Sequence, residues 1–198
     1  MKQLKIFFAL LFNLALIYPA HSALAQDSHA AAVRVLQLSA FGAASGVYTG
    51  LDGGKNFSIT AGADLGLPPW RGIRPTIEVR GTYPLDHGLV DSQKSVLGGL
   101  RVDFLLHHRL RPYGDFLFGR GQINYGYGYD YNGSTYSLTT TYVDAAGGGF
   151  DYQFTDHLAF KVDAQFERWG AAPTPSGTIY SKVGSAGLAY YFTFDRRR

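Results

Sequence analysis

The sequence predicts an all-β fold: an eight-stranded antiparallel up-and-down transmembrane β-barrel in one domain, residues 26–198, behind a cleaved signal peptide, residues 1–25. Three observations predict it. Most of the chain alternates apolar and polar residues with period two, the mark of strands with one face in an apolar environment. Connections between the alternating segments are themselves alternately short and long. Finally, an apolar export segment opens the chain, and nothing after it is long and apolar enough for a spanning helix. A membrane crossing therefore has to be a closed barrel, because only helices and closed barrels satisfy every backbone group in lipid.

Lys2 and Lys5 start the chain, Ile6 to Tyr18 is an apolar run broken only by Asn13, and Pro19 ends it. Ala23-Leu24-Ala25 then offers small residues where a signal peptidase reads, with Gln26 as the expected mature start. Removing the segment takes away two lysines and no acid, so the net charge falls from +3 to +1. A charge so near zero, without a basic run before the last three residues, argues against nucleic-acid binding. The chain has no cysteine, which excludes disulfides and thiolate metal sites.

Tyrosine and phenylalanine, 14 of each, and 25 glycines favour strands and turns over helices. The strands are read at Val33–Ala43, Asn56–Gly66, Ile73–Tyr83, Lys94–Leu106, Pro112–Asn124, Thr139–Gln153, His157–Arg168 and Ile179–Phe194. In the second, Phe57, Ile59, Ala61, Ala63 and Leu65 oppose Asn56, Ser58, Thr60, Gly62 and Asp64. In the third, Ile77, Val79 and Tyr83 oppose Glu78 and Arg80; in the fourth, Val96, Leu100 and Phe104 oppose Arg101 and Asp103. In the seventh, Phe160, Val162 and Phe166 oppose Lys161, Asp163 and Glu167. Alternation alone also suits a soluble sandwich. The connection lengths favour the membrane barrel: Leu67–Gly72, His107–Arg111 and Thr155–Asp156 are short, whereas Ala44–Lys55, Pro84–Gln93, Tyr125–Leu138 and Trp169–Thr178 are longer or more polar. An even strand count puts both termini on the periplasmic side. Trp70, Tyr83, Tyr113, Tyr152, Trp169, Tyr190 and Phe192 fall near strand ends, where aromatic residues form interfacial girdles or ordinary core contacts.

The last strand reads Gly184-Ser-Ala-Gly-Leu-Ala-Tyr-Tyr-Phe192. Ser185, Gly187, Tyr190 and Phe192 resemble the recognition signal of the outer-membrane barrel-assembly machinery, although Thr193 to Arg198 extend beyond the usual terminal aromatic. With that signal on an exported, alternating chain, the sequence resembles the OmpA-like/OmpX-like eight-stranded barrel family over nearly all of residues 26–198. The strongest local likeness is Gly148 to Phe166, which resembles a strand, tight turn and strand of the OmpA barrel. The resemblance implies that Asp151, Lys161 and Asp163 point into the barrel; alternation says the same of Lys161 and Asp163. It covers the barrel alone, with no peptidoglycan-binding domain expected. It also implies handling by the assembly machinery and periplasmic chaperones, and contact with outer-membrane lipids including lipopolysaccharide.

An eight-stranded barrel is just wide enough for side chains to fill it. Glu78, Arg80, Arg101, Asp103, Asp151, Lys161 and Asp163 are therefore read as a paired interior network, since unpaired buried charges are costly. A narrow solute or ion path through that network is the alternative. A lipid-modifying enzyme at His87, with Asp86 and Ser92 nearby, is a weaker one, because the remaining histidines lie at the other end or outside the strands. No catalytic site, cofactor or metal is expected: His107 and His108 are adjacent, point to opposite faces of a strand and have no neighbouring carboxylate. Arg109, Arg111 and Arg196–Arg198 are read as a periplasmic rim. Tyr125, Tyr127, Tyr129, Tyr131 and Tyr136 mark a candidate surface-recognition loop, or a short turn between extended strand ends. The expected role is structural or surface-interacting, with no extracellular partner named.

Overall fold

The computed structural model describes residues 36–86, 88, 91–105, 109–170 and 172–192. The expected signal segment, His29, His87, His107, His108 and the tail from Thr193 to Arg198 lie outside the described residues. The eight strands are β1 (Gln37–Tyr48), β2 (Lys55–Gly66), β3 (Ile73–Pro84), β4 (Ser92–Phe104), β5 (Leu110–Tyr131), β6 (Ser134–Gln153), β7 (Leu158–Gly170) and β8 (Thr178–Phe192). Each pairs antiparallel with its sequence neighbours, and β8 closes on β1 from Leu38↔Phe192 to Tyr48↔Lys182. Closure removes the two free edges that an open sheet would leave unpaired. β1 begins and β8 ends at the same rim, called here the terminal end; the β5–β6 turn lies at the other, the hairpin end.

The alternation sorts the side chains with the apolar ones outside. Phe57, Val79, Val96, Phe116, Phe118 and Phe166 are exposed on the outer wall, while their polar neighbours Ser58, Glu78, Arg80 and Asp163 are buried in the lumen. A soluble sandwich would show the reverse.

All eight strands are longer at the hairpin end than their sequence reading, five of them (β1, β4, β5, β6 and β7) by two residues or more. β1 runs on through Ser45, Val47 and Tyr48, which pair with both β2 and β8. β4 starts at Ser92, and β5 and β6 continue to Tyr131 and from Ser134. The connections at this end are thus 49–54, 85–91, 132–133 and 171–177, against 67–72, 105–109 and 154–157 at the other. The expected alternation of short and long connections is therefore absent. Polar, Gly-rich and Tyr-rich stretches that look like loops continue the ladder above the apolar wall, where alternation in hydropathy no longer marks a strand.

The Tyr125–Leu138 loop is likewise a hairpin. Asn132 and Gly133 have φ of 49° and 76°, the left-handed pair of a two-residue turn whose twist matches that of the strands. Below it, four residues of β5 (Tyr125–Gly128) oppose one of β6 (Ser137) in a bulge between Asn124 and Tyr129.

Candidate functional site

The lumen holds the charged residues in one connected cluster. Arg101 donates to Asp103 at 2.6 Å, Asp151 at 2.5 Å and Asp64 at 3.1 Å, and its guanidinium lies 3.6 Å from the Tyr113 ring centroid. Arg80 donates to Glu78 and forks onto Asp163 at 2.7 and 3.2 Å, with Asp115 at 3.6 Å. Lys161 Nζ sits 4.5 and 4.4 Å from the Phe41 and Tyr113 ring centroids, with Asp151 at 3.8 Å and Asp64 at 4.0 Å. It has no hydrogen-bond acceptor in range, so ring faces and carboxylate charge stabilise it together. All seven residues read as the interior network are buried.

Sequence reasoning left three carboxylates, Asp64, Asp115 and Glu167, out of that network. With them, the seven carboxylates of this cluster outnumber the three cations at its centre, Arg80, Arg101 and Lys161, while Arg74 and Arg111 stand at its terminal end. The excess is met by neutral donors. Tyr191 donates to Asp151 at 2.8 Å, Tyr113 to Asp163 at 2.8 Å, Thr76 to Asp103 at 2.6 Å, Gln165 to Asp115 at 2.9 Å and Trp169 to Glu167 at 3.0 Å. Asp64 accepts from Ser39 at 3.4 Å. Buried charge requires such partners. The available signal was strand parity, which each of these residues obeys.

Parity also decides three positions. Tyr113 and Trp169 are in the lumen, not in an aromatic girdle, because they share the faces of Asp115 and of Gln165 and Glu167; Trp70, Tyr83, Tyr152, Tyr190 and Phe192 are exposed outside. Arg111, read as part of the periplasmic rim, lies at the terminal-end start of β5 with its side chain turned inward, donating to Gln37 at 3.3 Å and lying 5.5 Å from the Tyr191 ring; Arg74 donates to the same Gln37 oxygen.

Above the charges, the lumen carries two materials. On one side a chain of hydroxyls, Ser185–Ser45–Thr60–Thr82, runs at 2.7 to 3.0 Å, and Asp91 beyond it accepts from Thr49 at 2.7 Å and Gln93 at 3.2 Å. Burial raises the Asp91 carboxyl above its ordinary pKa, against the two hydrogen bonds that lower it. On the other side Leu97, Leu117, Val143, Trp169 and Ile179 form an apolar plug closed over by Tyr125. The pocket between Asp64, Arg101, Asp103 and Arg111 offers about 10 Å³, room for one water molecule at most.

These features decide the architecture: an apolar outer wall, a closed ladder and a packed polar interior. The chain has the fold of an eight-stranded outer-membrane barrel. The crystal structure of neisserial surface protein A superposes with a TM-score of 0.56 at 17% identity, covering 79% of this chain and 97% of that one. Ail, the attachment invasion locus protein of Yersinia pestis, gives 0.43 at 13% identity over 79% and 97%, and the N-terminal barrel of Pseudomonas aeruginosa OprF gives 0.40 at 14% over 80% and 100%. No protein-family model and no curated protein matches the chain.

The barrel places the five loop tyrosines unequally. Tyr125 is buried in the plug and stacks on Tyr129 at 5.5 Å, whereas Tyr127 is wholly exposed and Tyr136 projects from β6; Tyr131 is half-buried beside the turn. In β8, Ser185 and Gly187 face inward. Ser185 joins the hydroxyl chain, and a Cβ at Gly187 would strike the β1 backbone at Gly42 and Ala43. Tyr190 and Phe192 face outward, edge to face at 5.0 Å. Of the proposed enzymatic group, Asp86 accepts from the Phe57 backbone at 3.1 Å and Ser92 is buried at the start of β4; His87 is outside the described residues.

Proposed function

We propose that this protein is a closed structural and surface-interacting barrel of the bacterial outer membrane, without enzymatic activity. Residues 1–25 direct its export. The terminal end faces the periplasm and the β5–β6 hairpin projects from the cell, offering Tyr127 and Tyr136 as adaptable aromatic contacts with polar tips. The signal at Ser185, Gly187, Tyr190 and Phe192 is read by the assembly machinery before β8 closes on β1, after periplasmic chaperones have carried the chain.

The observation that carries this reading is the filled lumen: paired charges with almost no free space at one level and an apolar plug at the next. At the level of Arg101 the space of about 10 Å³ is too small for a hydrated ion, and Leu97, Leu117, Val143 and Trp169 fill one side of the lumen above it, which disfavours a channel through the charges. The test is to purify the protein from the outer-membrane fraction, compare unboiled with boiled samples on a denaturing gel, and record planar bilayers. Detergent dependence, a boiling-sensitive band and silent bilayers are expected. A soluble protein with one band would overturn the membrane reading, and stepwise conductance would overturn the closed lumen.

A further inference from the structure

Four asparagines occur in the chain, and one of them differs from the rest. Asn13 belongs to the expected signal segment. Asn56 is buried; its amide donates to the Asp91 carbonyl at 2.7 Å, and its oxygen accepts from the Gln93 backbone N–H at 3.1 Å. Asn124 accepts from the Gly126 N–H at 3.0 Å, and the bulky Tyr125 follows it. Asn132 is exposed, has no side-chain hydrogen bond to a described residue, and is followed by Gly133. No other asparagine in the chain precedes a glycine.

The turn of the β5–β6 hairpin holds Asn132 and Gly133 in the left-handed region, at φ of 49° and 76°. A two-residue turn closes its hydrogen bonds between the flanking pair, here Tyr131 and Ser134, and leaves the N–H at its second position to solvent. No described backbone group accepts from Gly133. An electrophile and a nucleophile therefore sit side by side in water: the side-chain carbonyl carbon of Asn132 and the backbone nitrogen of Gly133. Gly133 has no Cβ to obstruct their approach. The closed turn is the brake, because the two groups rotate into reach of each other when it opens. Above Asn124 the ladder has two strands, and such a ladder opens locally at low cost.

We infer that Asn132 is a site of spontaneous deamidation, so that the hairpin tip changes charge and shape as the protein ages. The Gly133 nitrogen gives up its proton and bonds to Cγ of Asn132; the Cγ–Nδ2 bond breaks, and Nδ2 leaves with that proton as ammonia. Water then opens the resulting succinimide. Cutting the new bond gives aspartate, and cutting the original peptide bond gives isoaspartate. Between Tyr125 and Leu138 the sole charge is that of Asp130, so either product adds a second carboxylate beside it. Isoaspartate also carries the main chain through the side-chain methylene, which lengthens a turn whose twist matches the strands at two residues. The reaction requires that the tip meets water; its effect on recognition rests on the reading of this hairpin as the contact surface.

The experiment ages the full, folded protein in detergent at neutral and alkaline pH, maps its peptides by mass spectrometry, and tags isoaspartate with an isoaspartyl methyltransferase. Asn132 should convert on the order of tenfold faster than Asn56 or Asn124 in the same sample, given its free side chain and its glycine neighbour. Alkaline pH should speed it further, since Gly133 then loses its proton more often. N132Q should yield no product, and the boiling shift on gels checks that aged protein and variant stay folded. Ageing should also weaken the amide protection of Tyr129 to Tyr136 in the unaltered protein and leave it intact in N132Q. An Asn132 amide that survives as long as those of Asn56 and Asn124 would overturn the inference, and so would conversion confined to unfolded chains. A soluble protein that deamidates at Asn132 sinks the membrane reading and leaves this one standing.

Discussion

Replacing Arg101 by Met tests whether the lumen is packed or wet. Arg101 has three carboxylates within 3.1 Å, on Asp64, Asp103 and Asp151, and Tyr113 covers its face. Methionine keeps much of the volume and removes the charge. Breaking a buried pair by deleting one partner costs about 3–5 kcal/mol, because the abandoned charge stays buried. Lys161, at 3.8 Å from Asp151 and 4.0 Å from Asp64, recovers a little of that but cannot reach Asp103. With an m-value of ~2 kcal/mol per molar urea, the unfolding midpoint should drop by about 2 M. The assay is urea unfolding in detergent micelles, followed by fluorescence and by the folded band on unboiled gels. In a water-filled lumen the same contacts would contribute ~0–1 kcal/mol, as on a surface. A midpoint shift below about 0.5 M would therefore refute the packed-lumen reasoning. Adding Asp151→Asn to the variant should return part of the loss, since it removes one stranded charge.

Trp169→Ala empties the centre of the plug and strips Glu167 of its indole donor; a loss of about 3–5 kcal/mol is expected, with brief conductance events in bilayers that are silent for the unaltered protein. Asp91 carries the pH dependence at the hairpin end. Its folded pKa lies above the unfolded one, so the native state holds the extra proton; stability is greatest below the ordinary carboxylate range and declines as pH rises through the folded value. Asp91→Asn should flatten that decline in urea midpoints measured across pH, and an unchanged slope would remove Asp91 as its source. At Gly149, a Cβ would collide with the Val162 carbonyl and crowd the Tyr113 hydroxyl, so Gly149→Val should abolish the boiling-sensitive band; a normal band would show that β6 and β7 can separate at that point.

The wall was legible in the sequence because lipid imposes a strict rule there. Ile77, Val79 and Phe166 alternate with Glu78, Arg80 and Glu167, and each apolar residue of these pairs faces out. The rule fails where lipid ends. Tyr125 to Tyr136 alternates glycine, tyrosine and polar residues with no hydropathy contrast, although Asn132-Gly133 signals a two-residue turn. The plug was hidden for a different reason: Leu97, Leu117 and Val143 sit at inward parity but are apolar, so hydropathy alone cannot tell them from wall residues. The interior partners were hidden in the register. Nothing in the linear order of Tyr191 and Asp151, or of Gln165 and Asp115, says that the barrel brings them within hydrogen-bond distance.

The plug and the hairpin are one mechanical unit. Above Asn124 the β5–β6 ladder has no third strand, and a bare two-stranded hairpin is marginal in water. Its support comes from below: Tyr125 is buried among the plug residues and stacks on Tyr129, which packs against the same cluster and pairs with Tyr136 across the ladder. Tyr125 continues the inward parity of Gly121 and Ile123, and the bulge leaves Tyr127 outside, so the alternation anchors the hairpin and the irregularity exposes its tip. Tyr125→Ala should release the hairpin without unfolding the barrel. Amide exchange at Tyr129 to Tyr136 should accelerate at least tenfold, about 1.4 kcal/mol of local opening, while protection in Phe116 to Gly121 stays unchanged. Equal protection of the hairpin in both proteins would mean that its own turn holds it, and that the aromatic tip moves independently of the lumen beneath it.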